Sequence, residues 1–292
     1  MITGKTRVFY MVADPIEQVR TPEIFNKVLP LCNEDAVMVP LQIKPENLVS
    51  TVTELFKSPT TAGMVLSIPH KTAAAGLVDS RSKIATAANA VNAIRRNDEG
   101  KLEGDLFDGV GFIKSLDRYH IHYKDKRILL LGAGGAGSAI AVSLAASHPS
   151  HLAIFDPETE KASGLAESVR NNFPVSCEAL TTNDPTGYDI IINASPLGLK
   201  SGDPLPVAEE KLTTPAVVCD ILMKNQPTPL LQAALEKGSQ VLPGFDMLIL
   251  QTPLFLDFFG LKNVAEFLNR DDSAIRKMLF PPELTWMVES SE

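Results

Sequence analysis

A glycine-rich turn at residues 132–137, reading GAGGAG, constrains the fold of this chain more than any other feature of its sequence. It directly follows the apolar run 128–131 and precedes residues 138–146, a stretch of mostly small side chains. A continuous apolar run is typical of a strand buried on both faces of a parallel sheet. A Gly-rich turn between such a strand and a helix is the arrangement that binds the pyrophosphate of a dinucleotide.

Each glycine of the turn has a physical task in that interpretation. Gly132 permits the tight turn, Gly134 lets the backbone approach a pyrophosphate, and Gly137 allows the helix to pack closely on the strand. The helix start adds N–H donors and a positive dipole end. The predicted cofactor contacts of the turn are therefore Gly132, Gly134, Gly135, Ala136 and Gly137.

An acidic residue follows the next predicted strand, at Asp156. A carboxylate there accepts hydrogen bonds from the adenosine ribose hydroxyls of NAD and repels the 2′-phosphate of NADP. Pro157 stands where an arginine could compensate, so the sequence predicts NAD in preference to NADP. Lys161 is the nearest later cation and keeps NADP open, and Asp156 could also serve only as a helix cap.

Strand-like and helical runs alternate along the whole chain, which predicts an α/β fold. Because single cores rarely grow much beyond about 250 residues, a chain of 292 residues is expected to form two domains. We predict a Rossmann-type, doubly wound parallel sheet at 109–245. A smaller α/β substrate-binding domain is predicted at 1–108, completed by the helices of 246–292, with the active site in the cleft between the domains.

The charge balance points to a small-molecule partner. A net charge of -8 opposes broad binding to nucleic acid or to an anionic membrane. No run reaches the ~18 apolar residues of a membrane span, and the N-terminus does not resemble a signal peptide. We therefore expect a cytoplasmic monomer or homodimer. Cys32, Cys177 and Cys219 are widely spaced, which predicts reduced thiols and no metal site.

Six ordered blocks resemble the shikimate/quinate dehydrogenase family along nearly the whole chain. They are GMVLSIPHK at 63–71, AVN at 90–92, GDLFDGVG at 104–111, NASPLG at 193–198, a block from Asp220 to Thr228, and GFDMLILQ at 244–251. The resemblance implies an NAD(P)-dependent alcohol dehydrogenase acting on a cyclic hydroxy acid such as shikimate or quinate. Ordered together, the blocks are far more specific than any one of them.

The resemblance implies that Lys71 and Asp108 form the catalytic pair. Hydride transfer from a secondary alcohol requires removal of its hydroxyl proton, and the reverse reaction requires a proton donor at the growing alkoxide. A lysine serves both directions, and a neighbouring carboxylate orients it. The further residues implied are substrate contacts at Thr21, Ser67, Asn92 and Gln251, and cofactor contacts at Asn193, Ser195 and Gly244.

The sequence departs from the family at the substrate pocket. The family's carboxylate-binding segment carries two serines, which here are Val19 and Thr21, with Arg20 between them as a possible replacement contact. Apolar residues also replace polar family positions, at Val65, Leu106, Phe107 and Met223. Buried hydroxyls left unpaired cost roughly 1 to 3 kcal/mol each. We therefore expect a less polar or differently substituted substrate, with shikimate and quinate poor ones.

Two other interpretations stay open from the sequence alone. One is a non-catalytic sensor that kept the fold and the dinucleotide site, against which the retention of both Lys71 and Asp108 argues. The other is a folate-linked dehydrogenase, which shares the glycine turn but not the blocks that contain Asn92, Asp108 and Gln251.

Overall fold

Two six-stranded sheets organise the chain, one in each of two units. The computed structural model describes residues 2–224 and 226–289. The first unit consists of Met1–Phe107 with Leu250–Asp272, and the second of Asp108–Ile249 with Ser273–Glu292. In the described residues, every helix is too short or too polar to cross a membrane.

The first unit has a mixed sheet. Its strands are β1 (Arg7–Ala13), β2 (Ala36–Gln42), β3 (Thr61–Leu66), β4 (Ser80–Arg81), β5 (Ala93–Arg96) and β6 (Leu102–Asp105). Their order is β2-β1-β3-β5-β6-β4, and β1 is parallel to both β2 and β3. Strand β5 runs antiparallel to β3 and β6. The helices of this part of the chain are α1 (Thr21–Val28), α2 (Leu48–Leu55), α3 (Lys71–Ala74) and α4 (Lys83–Ala88).

The core of the first unit includes an aromatic cluster that reaches far along the chain. The ring of Phe259 lies 5.0 Å from that of Phe9 and 6.4 Å from that of Phe25, between ring centroids. A Cβ added at Gly63 would lie 2.5 Å from the Phe259 ring, so only glycine leaves room for it on β3. This packing holds the segment Leu250–Asp272 in the first unit.

The second unit is a doubly wound parallel sheet. Its strands are β7 (Arg127–Leu131), β8 (His151–Phe155), β9 (Cys177–Leu180), β10 (Ile190–Asn193), β11 (Val217–Asp220) and β12 (Val241–Pro243). Their order is β12-β11-β10-β7-β8-β9 and every pairing is parallel. The predicted α/β fold class with a Rossmann-type sheet is confirmed. The chain order reverses between β7 and β10, which is where such sheets bind ligands.

Helices cover this sheet and continue to the end of the described chain. They are α5 (Asp108–Arg118), α6 (Gly135–Ala146), α7 (Thr159–Asn172), α8 (Pro229–Glu236), α9 (Phe245–Phe258), α10 (Lys262–Arg270), α11 (Ser273–Leu279) and α12 (Thr285–Glu289). Helix α9 begins in the second unit and ends in the first, whereas α10 belongs to the first.

The apolar run of β7 is buried on both faces of its sheet, as predicted. Ile128 and Leu130 belong to one apolar core, and Leu129 and Leu131 to another. Side chains alternate between the two faces of a strand, so four successive apolar residues serve two cores at once. Strand β9 was not predicted, because it is short and its sequence CEAL carries no clear apolar pattern.

The last segment differs from the predicted domain boundaries. The prediction placed all of 246–292 with the first domain, but Ser273–Glu292 belongs to the second unit. Asp246, which is fully buried, accepts a hydrogen bond from the Tyr119 hydroxyl at 2.7 Å and pairs with the Arg276 guanidinium at 3.1 Å. A buried carboxylate needs such partners, and they fix α11 to the second unit.

Helix α7 offers a test of intrinsic helix stability. Gly164 lies in its interior, and an added Cβ would meet no atom within 4 Å. Gly164→Ala should therefore raise the free energy of unfolding by about 0.5 to 1 kcal/mol, since alanine loses less backbone entropy than glycine in a helix. Urea denaturation measures the change. An equal or lower unfolding midpoint for the variant would contradict this expectation.

Candidate functional site

Two backbone segments meet at the glycine turn in the second unit. Gly132 has a φ of 103°, which favours glycine, and a Cβ there would lie 2.8 Å from the carbonyl oxygen of Ala194. A Cβ at Gly137 would lie 2.0 Å from the carbonyl oxygen of Gly132. Any side chain would force these segments apart. The loop after β10 is thereby held directly against the turn after β7.

The turn leaves open space where a ligand could approach. An added Cβ at Gly134 would have no atom within 4 Å, although Gly134 caps the start of α6. Gly135 and Ala136 form the first turn of this 12-residue helix, where backbone N–H groups have no partner within the helix. Open space beside such donors fits the pyrophosphate of a dinucleotide.

Asp156 lies directly after β8 and supports the turn. Its Oδ2 accepts a hydrogen bond from the Ala133 amide at 2.8 Å, and its Oδ1 accepts one from the Glu158 amide at 2.9 Å. Each carboxylate oxygen has a second lone pair, so both remain able to accept a ribose hydroxyl. Lys161, the cation that kept NADP open, pairs with Glu158. The predicted contact and the cap-like role are thus compatible.

The side chain of Asn193 is completely buried and fully used within the protein. Its Nδ2 donates to the Leu197 carbonyl and to Asp220, each at 3.1 Å. Its Oδ1 accepts from the Ser195 amide at 3.1 Å and from the Ser195 hydroxyl at 2.6 Å. An amide has two N–H donors and two acceptor lone pairs. This side chain therefore shapes the loop 194–198 and has no group left for a direct cofactor contact.

Gly244 also lies among the strand ends of the second unit. A Cβ at this position would lie 2.1 Å from the carbonyl oxygen of Ile221, the residue that follows β11. The residues after β7 and β10 are therefore in close contact, and so are those after β11 and β12, all at the carboxyl edge of the sheet. The predicted cofactor residues Gly132, Ser195 and Gly244 all lie at this edge.

Lys71 lies in the first unit, as the first residue of α3, and is 8% exposed. Its carbonyl oxygen accepts a hydrogen bond from the Val91 amide at 2.9 Å. The backbone of the next residue, Asn92, forms two hydrogen bonds of 2.8 Å. Its N–H donates to the Asp105 carbonyl, and its carbonyl oxygen accepts the Leu66 N–H. Backbone pairing thus brings the predicted catalytic lysine beside the predicted substrate residue Asn92.

Asn92 connects three distant parts of the sequence. Its Nδ2 donates to Oε1 of Gln251 at 3.3 Å, and its Oδ1 accepts the Phe107 amide at 3.0 Å. Both amide side chains are buried. Phe107 directly precedes Asp108, which is 4% exposed and begins α5 of the second unit. The role of Phe107 was missed because a backbone N–H leaves no signal in a sequence.

The two predicted hydroxyl contacts follow the carboxyl ends of parallel strands in the first unit. Ser67 comes directly after β3 and is half-buried, and its amide donates to the Val12 carbonyl at 2.8 Å. Thr21 is the first residue of α1 and is buried. Arg20, by contrast, donates to both carboxylate oxygens of Glu23, at 2.5 and 2.8 Å. Its guanidinium is therefore already neutralised by a neighbour.

His70, which precedes Lys71, is buried. Its ring hydrogen-bonds to the backbone of Ile43, and its Nε2 is buried without a hydrogen-bond partner. Burial lowers the pKa of this imidazole, so the ring is neutral at neutral pH.

No group of three His, Cys, Asp or Glu side chains among the described residues is arranged to hold a metal ion.

Comparison with known proteins gives consistent matches. Residues 11–94 match the family described as the shikimate dehydrogenase substrate binding domain. A curated relative, shikimate dehydrogenase (NADP(+)) of Methanosphaera stadtmanae, is 33% identical over 258 residues, which cover 86% of this chain and 90% of that protein.

Solved structures resemble the chain over most of its length. Shikimate 5-dehydrogenase from Listeria monocytogenes, in complex with shikimate and NAD, is 25% identical with a TM-score of 0.80, covering 91% of this chain and 98% of that one. The ligand-free 5-ketofructose reductase of Gluconobacter sp. strain CHM43 is 28% identical with a TM-score of 0.78, covering 92% and 99%.

The open space at Gly134 leads to a test that separates folding from ligand binding. Gly134→Ala should leave the protein folded with only a small fall in the melting temperature of the ligand-free form, because the new methyl group meets no atom and only the N-cap preference for glycine over alanine is lost. If a pyrophosphate lies against the turn, the same methyl group should weaken NADH binding about tenfold or more. Fluorescence titration with NADH measures this, with Gly164→Ala as the matched control. Unchanged affinity would exclude a ligand at this position.

Proposed function

The chain belongs to the shikimate dehydrogenase family of NAD(P)-dependent oxidoreductases, and from this premise we propose its substrate class, cofactor and catalytic residues. The protein transfers hydride between NAD and a secondary alcohol of a cyclic hydroxy acid that is less polar than shikimate or differently substituted. The observation that carries the proposal is the burial of three polar side chains of the first unit, Lys71, Asn92 and Gln251, of which the last two are hydrogen-bonded to each other. Burying polar side chains costs free energy, and a role in catalysis and substrate binding accounts for that cost.

Lys71 is the proposed acid/base residue. During oxidation its amine removes the hydroxyl proton of the substrate, and during reduction its ammonium returns a proton to the alkoxide oxygen. Asp108 is proposed as the second residue of the catalytic pair. Asn92 and Gln251 position the substrate through their amides. Bound NAD supplies the hydride acceptor.

The proposed change of substrate rests on the apolar replacements in the first unit. Val65 is 2% exposed and Leu106 is fully buried, and neither offers a hydrogen bond to a substrate hydroxyl. Arg20, the one cation that could replace the missing serine at Val19, is paired with Glu23. A carboxylate or a third hydroxyl on the ligand would thus find fewer partners. The similar 5-ketofructose reductase is named for a different substrate, which supports substrate variation on this fold.

The proposed preference for NAD over NADP rests on the charge after β8. Asp156, Glu158 and Glu160 follow one another closely, and Lys161 is already paired with Glu158. The carboxylate of Asp156 at the expected ribose position repels a 2′-phosphate, whereas it keeps acceptor capacity for two hydroxyls. The proposed monomeric or homodimeric state and cytoplasmic location remain predictions from the sequence.

A substrate panel tests the catalytic assignment. NADH production should be measured with shikimate, quinate and less hydroxylated cyclic hydroxy acids, and shikimate and quinate should give lower kcat/KM than the best substrate. Lys71→Ala should lower kcat with that substrate by roughly 10² to 10⁴-fold, because proton transfer loses its positioned group. Lys71→Arg should be similarly inactive, because a guanidinium keeps the charge but does not release a proton.

The matched control is Lys44→Ala, which removes an exposed cation of the same unit. It should keep the wild-type rate, and every variant should keep the wild-type affinity for NADH. Full activity of Lys71→Ala would refute the assigned role. Efficient, saturable oxidation of shikimate would refute the proposed substrate class instead.

A charge replacement tests the cofactor preference. The wild-type protein should bind NADH more tightly than NADPH. The double variant D156N/P157R removes one negative charge and supplies a guanidinium, so the ratio of the two affinities should shift toward NADPH by about tenfold or more. Glu167→Gln, an exposed charge change on α7, the helix that follows these two residues, is the control. Tighter NADPH binding by the wild type would overturn the interpretation of Asp156.

A further inference from the structure

Asp220 is an almost completely buried acid at the carboxyl end of β11. It is 1% exposed. Its Oδ2 accepts a hydrogen bond from the Thr228 hydroxyl at 2.7 Å, and its Oδ1 accepts from the Leu222 amide and from Nδ2 of Asn193, each at 3.1 Å. All three partners are neutral donors. The arrangement suits a carboxylate that is held by hydrogen bonds and not by an ion pair.

The burial of this acid is costly. Removing a carboxylate from water disfavours its charged form, and burial raises the pKa of Asp220 to about 6, against the opposing effect of its three hydrogen bonds. An apolar residue at the end of a buried strand would avoid that cost. The cost of burying this carboxylate is explained if the carboxylate holds a functional part of the backbone in place.

The carboxylate holds both loops that follow the central strands. Through Asn193 it is connected to the amide and hydroxyl of Ser195. The backbone of Ala194 and Ser195 lies against Gly132 of the dinucleotide turn. Through Thr228, which caps α8 by accepting the Leu231 amide at 3.3 Å, the same carboxylate fixes the far end of the loop after β11.

We propose that Asp220 is a positioning residue of the dinucleotide site, acting through Asn193 to hold the loop after β10 against the glycine turn, while its bond to Thr228 anchors the carboxylate to the start of α8. The proposal rests on the proposed function, because it assumes that a dinucleotide binds at this turn. Asp220 itself touches neither ligand nor reacting atoms. Its loss should weaken binding of the dinucleotide while leaving the chemical step intact.

The hydrogen bonds of Asp220 also predict that the affinity for the dinucleotide depends on pH. Because every partner donates a hydrogen, protonation of Asp220 brings a further hydrogen into a site that has only donors, and one bond is lost. The elements packed on Asp220 contribute neutral groups: Asn193 from β10, Thr228 at the start of α8, and Pro243, its register partner on β12. Cys219, beside it on β11, has its thiol pKa raised by burial and stays neutral. Dinucleotide affinity should therefore fall as the pH falls through about 6.

The test compares two replacements at this position. Asp220→Asn keeps an Oδ1 acceptor for Asn193 and Leu222 but does not titrate, whereas Asp220→Ala removes every bond. The Kd for NADH is measured by fluorescence titration between about pH 5 and about pH 7.5, spanning the ordinary and shifted carboxyl pKa values. Melting temperatures of the ligand-free proteins and the KM for NAD against kcat are measured alongside. Asp189→Asn, an exposed acid at the amino end of β10, is the matched control.

Three results are expected. The Asp220→Asn protein carries hydrogens where the protonated acid would carry one, so near neutral pH it binds NADH about as weakly as the wild type does at the acidic end of the range, and its affinity does not fall further on acidification. The Asp220→Ala protein binds NADH about tenfold or more weakly, with raised KM for NAD and little change in kcat at saturating NAD. The Asp189→Asn protein keeps the wild-type affinity and pH profile.

Other results would overturn the proposal. A purely structural role predicts lower melting temperatures with unchanged NADH affinity in the folded variants. The proposal is also refuted if the NADH affinity of Asp220→Asn depends on pH as that of the wild type does. This comparison requires only the conservative variant, so it can be made even if Asp220→Ala does not fold. If the wild-type protein binds neither NADH nor NADPH, the proposed function itself fails and this proposal with it.

Discussion

The close approach between the turn after β7 and the loop after β10 is the constraint on which the second unit depends. Backbone atoms of Gly132 and Ala194 come so near that a Cβ on Gly132 would lie within 2.8 Å of the neighbouring carbonyl group. Protein interiors are close-packed and do not absorb such an overlap. Glycine at this position is therefore required by packing before any ligand is considered.

Polar side chains at the strand ends maintain that arrangement. Asp156 holds the turn through the Ala133 amide, and Asn193 and Asp220 hold the next two loops through a chain of hydrogen bonds. In the first unit, Asn92 has a comparable place, between Gln251 and the Phe107 amide. Buried groups of this kind cannot be replaced singly without leaving a partner unsatisfied. Together these side chains form a hydrogen-bonded frame, in which a substitution is expected to be destabilising.

Residues that do not belong to this frame are under weaker physical constraint. Val19 and Val65 are apolar where the sequence resemblance implies polar family positions, and neither side chain takes part in a hydrogen bond. Arg20 has its own partner in Glu23. The chain could thus change the chemistry that it presents to a substrate while keeping its fold and its dinucleotide turn. This combination is expected of an oxidoreductase family that acts on several related alcohols.

The sequence by itself determined the local elements of this protein. The run 128–131 showed a strand buried on both faces, and the glycines after it showed the turn, because both patterns depend on sequence neighbours only. The ordered blocks identified the family and pointed to Lys71 and Asn92. Only the tertiary structure decided the partners of the buried polar groups: Asn92 bonds to Gln251, 159 residues away, and Asn193 to Asp220, 27 residues away.

The same limit explains what could not be predicted. The burial of the Asn193 side chain, with all four hydrogen-bonding positions occupied, could be seen only in the folded chain. Ser273–Glu292 was assigned to the wrong unit, because the pairing of Arg276 with Asp246 joins two helices that no local pattern connects. Periodicity fixes what a segment becomes, whereas the order of strands in the sheet fixes which side chains meet, and that order is a property of the whole chain.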